Sequence, residues 1–227
     1  PFDVQIRAHG FTIDESELES TLEKYAPWEI VCKLRNNSFS YKIFKLNSKT
    51  GQRSSAKYLK KEVPGEGKIV LPGDTTCGDA KLHLFYYPGG VRGGANQKGY
   101  KGIDWLPKTI LKKNSIIKQL TENAGIKIYN DNVRIMPYGE PGNDWIGLES
   151  RKVERSGGRL RNELCLGWIV LDRVNNTMIE ETTSREKLVE NDAFDFLKNQ
   201  FALKAVKTLE QYFAAFDVDL KSDSVLE

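Results

Sequence analysis

The stretch "LCLGWIVLD", residues 164–172, constrains the fold more than any other part of the chain. Successive side chains of a β-strand point to opposite faces, so a strand that is apolar at nearly every position must be covered on both. Two other stretches, "FSYKIFKL" (39–46) and "AKLHLFYY" (80–87), alternate apolar and polar residues and read as strands with one buried face. "IKIYNDNVRIMP" reads as a hairpin: Ile126 and Ile128 alternate, Asn130 to Asn132 turn the chain, and Val133 and Ile135 alternate back.

A sheet of this kind needs helices to cover it, and the strongest helical pattern lies at the C-terminal end. Phe194, Leu197, Phe201, Ala205, Leu209, Phe213 and Phe216 recur at steps of three or four, and no Gly or Pro interrupts 184–216. This spacing predicts one long amphipathic helix or two abutting ones. Thr183 and Glu186 have the S/T-x-x-E spacing of a capping box, which predicts Thr183 as N-cap and puts Arg185 in the first turn. A second helix is expected in "LPKTILKKNSIIKQLTENAG" (106–125), with an apolar stripe of Ile116, Ile117 and Leu120 and an end at Gly125. A short one is expected after Asp14, stopped by Pro27. The polar stretch from Asn47 to Gly67 reads as a loop or exposed extension. The expected class is α+β, a mixed sheet with helices, in two sub-regions: a strand-rich one over 1–105 and an α/β layer with a long C-terminal helix over 106–227.

Composition narrows the functional classes. With 227 residues, 39% apolar and 29% charged, the chain can bury a core and is neither fibrous nor disordered. Its longest apolar runs are strand-length, so no membrane association is expected. Cys32, Cys77 and Cys165 form no C-x-x-C pair, which argues against a disulfide framework or thiolate metal site and fits a reducing cytoplasm. His9 and His83 stand in no metal-ligand or nucleophile pattern. The first residue is Pro1, and the expectation is a segment cut from a longer polypeptide.

Three places could carry chemistry. Glu140, Asp144 and Glu149 cluster in "GEPGNDWIGLES", but their spacing matches no coordination motif, and Gly139, Pro141 and Gly142 mark a tight turn anchored by Trp145. Two basic stretches, the glycine-rich 88–102 and the run Arg151, Lys152, Arg155, Arg159 and Arg161, suit a nucleic-acid backbone or a protein client. Neither is a phosphate-cradling glycine motif. The third is Arg185. A guanidinium beside the free N–H groups and positive dipole end of a helix is unfavourable unless an anion joins it; a phosphate held by both suits the place, and so does a surface pairing with Glu180, Glu181 or Glu190.

"TTSREKLVEN" at the head of a long helix, behind a buried strand and an acidic turn, resembles the catalytic-arginine loop in the middle domain of the ninety-kilodalton heat-shock chaperones. The block from "GIKIYNDNVRIMPYGEPGNDWIGLESRKV" through "LCLGWIVLDRVNN" resembles the transducer segment of related bacterial ATP-binding proteins of the GHKL superfamily. The resemblance covers 106–216 well and 1–105 only by order of elements. Ser184, Arg185 and Glu186 match the chaperone S-R-E motif; Val189 and Thr182 depart from it, standing where the chaperones carry glutamine and asparagine. What the resemblance implies is a layer of the ribosomal protein S-five domain 2 type, docked on an upstream GHKL ATP-binding domain in the same polypeptide. There Arg185 would be the catalytic residue reaching the γ-phosphate, with Ser184 and one of Arg151 or Lys152 as further nucleotide contacts. ATP and Mg²⁺ would be bound mainly by the upstream domain, whose D-x-G-x-G turn this chain lacks, and the parent would be a homodimer.

Overall fold

The computed structural model describes residues 22–24, 26–46, 52–56, 64–72, 77–87, 120, 122–154, 159–183 and 186–223. Their frame is an eight-stranded mixed sheet. Its strands are β1 (Trp28–Arg35), β2 (Ser38–Leu46), β3 (Arg53–Ser55), β4 (Glu66–Val70), β5 (Ala80–Tyr86), β6 (Gly125–Asn130), β7 (Val133–Ile135) and β8 (Cys165–Leu171). They lie in the order β3-β2-β1-β5-β8-β6-β7, with β4 also pairing β2. All neighbours are antiparallel except β6 and β8, which run parallel from Gly125 opposite Leu166 to Asn130 opposite Leu171. Strands from before and after residue 105 thus share one hydrogen-bonded sheet, joined where β5 pairs β8.

The two tight hairpins have the same local cause. Asn36 and Asn37 between β1 and β2, and Asp131 and Asn132 between β6 and β7, all have positive φ. Two consecutive left-handed residues make the turn whose twist matches that of the flanking strands, and Asn and Asp adopt that region most readily after Gly.

β8 is covered on both faces, as its composition requires. Cys165, Ile169 and Leu171 belong to the main core, while Leu166 joins Leu22, Ala26, Phe85, Tyr87 and Leu120 on the other side. The main core is closed by the C-terminal helix, made of α2 (Asp192–Asp195), a π-helical stretch (Phe196–Ala202) and α3 (Leu203–Asp223). A preceding short helix, α1 (Leu148–Glu154), follows the glycine-rich turn. Along the sheet face, Phe194 meets Tyr138 and Trp145, Phe201 meets Phe39, and Trp28 meets Tyr212 and Phe213, all with ring centroids within 6.0 Å. The π turn changes the spacing of the buried stripe. Phe196, Leu197, Phe201 and Ala202 are all buried, pairs five residues apart that an α-helix would not stack.

Three expectations change. β1, flanked by two strands near the centre of the sheet, was not anticipated, although Trp28, Ile30, Cys32 and Leu34 alternate with more exposed residues. The stretch 47–67 is not wholly loop, since β3 and the start of β4 pair along β2. The C-terminal helix begins later than Thr183. The helix expected after Asp14 lies outside the described residues except for 22–24, which are helical; of that expected over 106–125, 120 and 122–123 are described and helical, and Gly125, at φ 117°, opens β6.

Candidate functional site

The parallel pair β6 and β8 ends at Asn130 and Leu171, and in open sheets ligands favour the crevice at the carboxyl ends of parallel strands. A polar cleft of about 380 Å³ opens there, lined by Asn130, Arg173, Asn176, Glu181, Thr182 and Thr183 among others.

Its floor is a turn built on Asp172. That carboxylate accepts from the backbone N–H groups of Val174 (2.8 Å) and Asn175 (3.2 Å) and from the Asn175 side chain (2.5 Å). The Asn175 side-chain bond, with these N–H groups, holds its pKa below the ordinary carboxylate value. Asn176, 2% exposed, donates from Nδ2 to the carbonyls of Asp79 and Asp172, both at 2.8 Å, and so pins the turn to the start of β5. Gly78 permits this contact: a Cβ there would stand 1.5 Å from the Asn175 carbonyl oxygen.

One wall is tied together by Glu181. Its Oε1 accepts from Arg173 Nη2 at 2.7 Å and from Asn130 Nδ2 at 3.1 Å. Arg173 is in turn held by Asp131, through its backbone N–H to Oδ1 (3.1 Å) and Nε to Oδ2 (3.5 Å). The bond to Glu181, first among the causes, raises the Arg173 pKa above its already high ordinary value. These contacts join the β6–β7 turn, the turn after β8 and the strand-like residue Glu181, which forms an antiparallel bridge with Leu188.

That bridge closes a small loop. Val189 N–H donates to the Glu180 carbonyl and Thr182 N–H to the Lys187 carbonyl, both at 2.8 Å. Leu188 is fully buried and its N–H donates to Tyr138 Oη at 3.2 Å. The helix therefore does not start at Thr183. Asn191 is the cap, accepting from Phe194 N–H at 3.0 Å, with Asp192 and Asp195 in the first turn where the dipole favours them. The capping-box spacing of Thr183 and Glu186 loses because the bridge engages Thr182 and Lys187 and drives Leu188 into the core. The first turn of the helix therefore begins at Asp192, and position 185, seven residues earlier in the sequence, does not belong to it.

Ser184 and Arg185 lie outside the described residues, while Thr183, next to them, lines the cleft. Arg151 lies elsewhere, in α1, with Lys152 beside it. Its Nη2 is 2.7 Å from Glu210 Oε2, and the two side chains are 13% and 8% exposed. Glu210 also takes Arg159 Nη1 at 3.4 Å and the Leu160 N–H at 2.9 Å, and Arg161 pairs with Glu163. The described arginines of the basic run are thus engaged internally. The carboxylates of the turn are structural. Asp144 caps α1 by accepting from Leu148 and Glu149 N–H, Glu140 pairs with Arg134, Glu149 accepts from Asn162 N–H, and Trp145 Nε1 donates to the Ile126 carbonyl.

Among the described residues no group of three or more His, Cys, Asp or Glu is placed to hold a metal ion, and no helix is long and apolar enough to cross a membrane. All three cysteines are buried and free, and burial raises each thiol pKa, that of Cys77 to about 12. No signal in the sequence pointed to Asn130, Arg173 and Asn176, because residues 43 or more apart meet only once β6 and β8 pair. No protein-family model matches the chain, and no curated protein matches it.

Proposed function

We propose that this chain is the transducer domain of a GHKL-type ATPase, supplying Arg185 to the γ-phosphate of ATP·Mg²⁺ held by an upstream domain. The observation that carries the reading is the setting of the S-R-E motif. Of the described residues that flank it in sequence, Glu181 and Leu188 form a bridge, Thr183 lines a polar cleft at the carboxyl ends of β6 and β8, and Asn191 caps the helix that covers the sheet. The mixed α+β sheet is of the kind such a layer requires.

In this role Arg185 stabilises charge that develops on the phosphoryl oxygens as water attacks, and Ser184 supplies a neighbouring hydroxyl. Loss of the γ-phosphate removes the contact and frees the domain boundary, which couples hydrolysis to movement. Arg151, engaged by Glu210, stays in the fold, which leaves Lys152 as the candidate of that pair for a nucleotide contact.

The test uses the polypeptide that joins this chain to its ATP-binding domain. Arg185→Ala is expected to lower kcat about a thousandfold with nucleotide binding retained. Unchanged turnover would overturn the reading and leave a non-catalytic module that binds nucleic acid or protein.

A further inference from the structure

The sheet face turned away from the main core gathers cations and aromatic rings. Phe85 and Leu166 on that face are covered by Leu22, Ala26 and Leu120. One row further along the strands, Val31, His83, Trp168 and Lys127 lie side by side on β1, β5, β8 and β6. The row after that crosses six strands, from β4 to β6: Lys68, Ser40, Lys33, Lys81, Val170 and Tyr129. Lys33, Lys68 and Lys81 are exposed, and among the described residues none of these side chains has an ion pair or hydrogen bond. Their row holds no acid, and the acids near it are engaged: Glu29 by Arg53 (3.4 Å) and His83 (3.5 Å), Glu66 by Lys42 (3.2 Å), Asp79 by Arg35 (3.3 Å). Lys33 stands directly opposite Lys81, an arrangement of like charges that weakens an antiparallel pair unless an anion joins it. Beside these cations the rings of His83 and Trp168 are stacked at 5.6 Å and 8°, and Trp168 and Tyr129 are half-buried.

We propose that this sheet face binds single-stranded nucleic acid, with Lys33, Lys68 and Lys81 taking phosphates and His83, Trp168 and Tyr129 offering rings to the bases. The unpaired lysines call for a polyanion. The rings favour nucleic acid over an acidic protein surface, because every base has a π-face that stacks on an aromatic side chain, whereas a carboxylate gains nothing from one. A duplex would leave the rings unused, since its bases are stacked on one another inside the helix. With strands about 4.8 Å apart the lysine row is about 24 Å long, room for about four nucleotides, the low end of the sites that sheet surfaces present to single strands. The proposal is independent of the role of Arg185 and uses neither of the basic stretches that stand out in the sequence.

The test is fluorescence anisotropy of labelled oligo(dT) and oligo(U) with the full-length protein over a salt series, with a duplex of equal length and polyglutamate as competitors. Three lysines on phosphates give an expected slope of log K against log salt of about −2. Lys33→Glu turns the like-charge pair with Lys81 into an opposite-charge one, so thermal unfolding is expected to show a Tm unchanged or raised. The same change is expected to weaken oligomer binding at least about tenfold and to flatten the salt slope. Lys68→Gln, exposed near the sheet edge, is expected to weaken binding less and to reduce the slope by about 0.7. Trp168→Leu is expected to weaken binding about tenfold with the slope unchanged, the mark of lost stacking rather than lost charge. No binding at low salt overturns the proposal, and so does binding that neither lysine change diminishes, which would belong to another surface. A duplex that competes as well as the unlabelled single strand overturns it too, since the rings then contribute nothing. Polyglutamate that competes as well at equal charge overturns it in favour of an acidic protein partner.

Discussion

Removing the Glu210 carboxylate is expected to be among the most costly single changes in the chain. Glu210 lies on α3 with its side chain 8% exposed, and it takes the Arg151 guanidinium at 2.7 Å, that of Arg159 at 3.4 Å and the N–H of Leu160 at 2.9 Å. Glu210→Ala leaves Arg151, at a side-chain exposure of 13%, without the carboxylate it pairs with among the described residues, and orphans the N–H of Leu160, itself 1% exposed. Breaking a buried pair from one side costs about 3–5 kcal/mol, because a charge stays behind without its partner. In a chain of this size each kcal/mol lowers Tm by about 2–4 °C, so a fall of at least about 6 °C is expected. The assay is urea and thermal unfolding of the purified chain, requiring an unchanged m-value so that the difference is one of stability. Two companions sharpen it. Arg159→Ala should cost clearly less than Arg151→Ala, because its contact is longer and its side chain is 25% exposed. The double change Arg151→Met with Glu210→Leu should recover much of the loss, since an apolar pair of similar size needs no desolvated charge. A loss below about 1 kcal/mol for Glu210→Ala would refute the reasoning and return Arg151 to the residues free to meet a nucleotide.

Asn191→Ala removes the cap of the C-terminal helix and should cost about 1 kcal/mol, with Asn191→Asp close to neutral; chemical denaturation reads both. Cys32, Cys77 and Cys165 should resist iodoacetamide at pH 8 in the native chain and react on unfolding, as followed by mass spectrometry, because their folded pKa values are raised by burial, Cys77 to about 12. The sign for stability follows: these thiols favour the fold fully below their ordinary value of 9.0, and that contribution is lost as the pH climbs towards about 12 and the unfolded chain alone gives up its protons.

The legible parts of the fold were those decided by local pattern. β8 announces its two-sided burial through composition, and the β6–β7 hairpin through alternation around Asp131 and Asn132. The helix start shows where local pattern fails. Thr183 with Glu186 satisfies a capping spacing as well as Asn191 satisfies its own, and only the pairing of Glu181 with Leu188 decides between them. That pairing depends on Tyr138, fifty residues away, to receive the N–H of Leu188. β1 is weakly marked in the sequence because its polar positions, Glu29 and Lys33, sit among residues that read equally well as a connection after Pro27. Its identity comes from two neighbours, β2 and β5, that bond to it along nearly its whole length. The cleft was not legible because its lining comes from the ends of strands far apart in the chain, whereas the described arginines of the basic run that did stand out, Arg151, Arg159 and Arg161, are engaged by Glu210 and Glu163.

In the proposed ATPase role, the later helix start changes what Arg185 would have to supply. At a helix N-terminus the backbone N–H groups would themselves help to hold a phosphate, and Arg185 would be one of several donors. With the cap at Asn191 rather than Thr183 that help is gone, so in the proposed role affinity and orientation at the γ-phosphate would rest on the guanidinium itself. The limb held by Leu188 answers to core packing and passes within three residues to Asn191, whose cap starts the helix at Phe194 against Tyr138 and Trp145. The limb held by Glu181 answers to an ion pair that is half exposed at Arg173 and so weakened by salt. Sensitivity to ionic strength is therefore expected at the Arg173–Glu181 contact and not at buried Leu188.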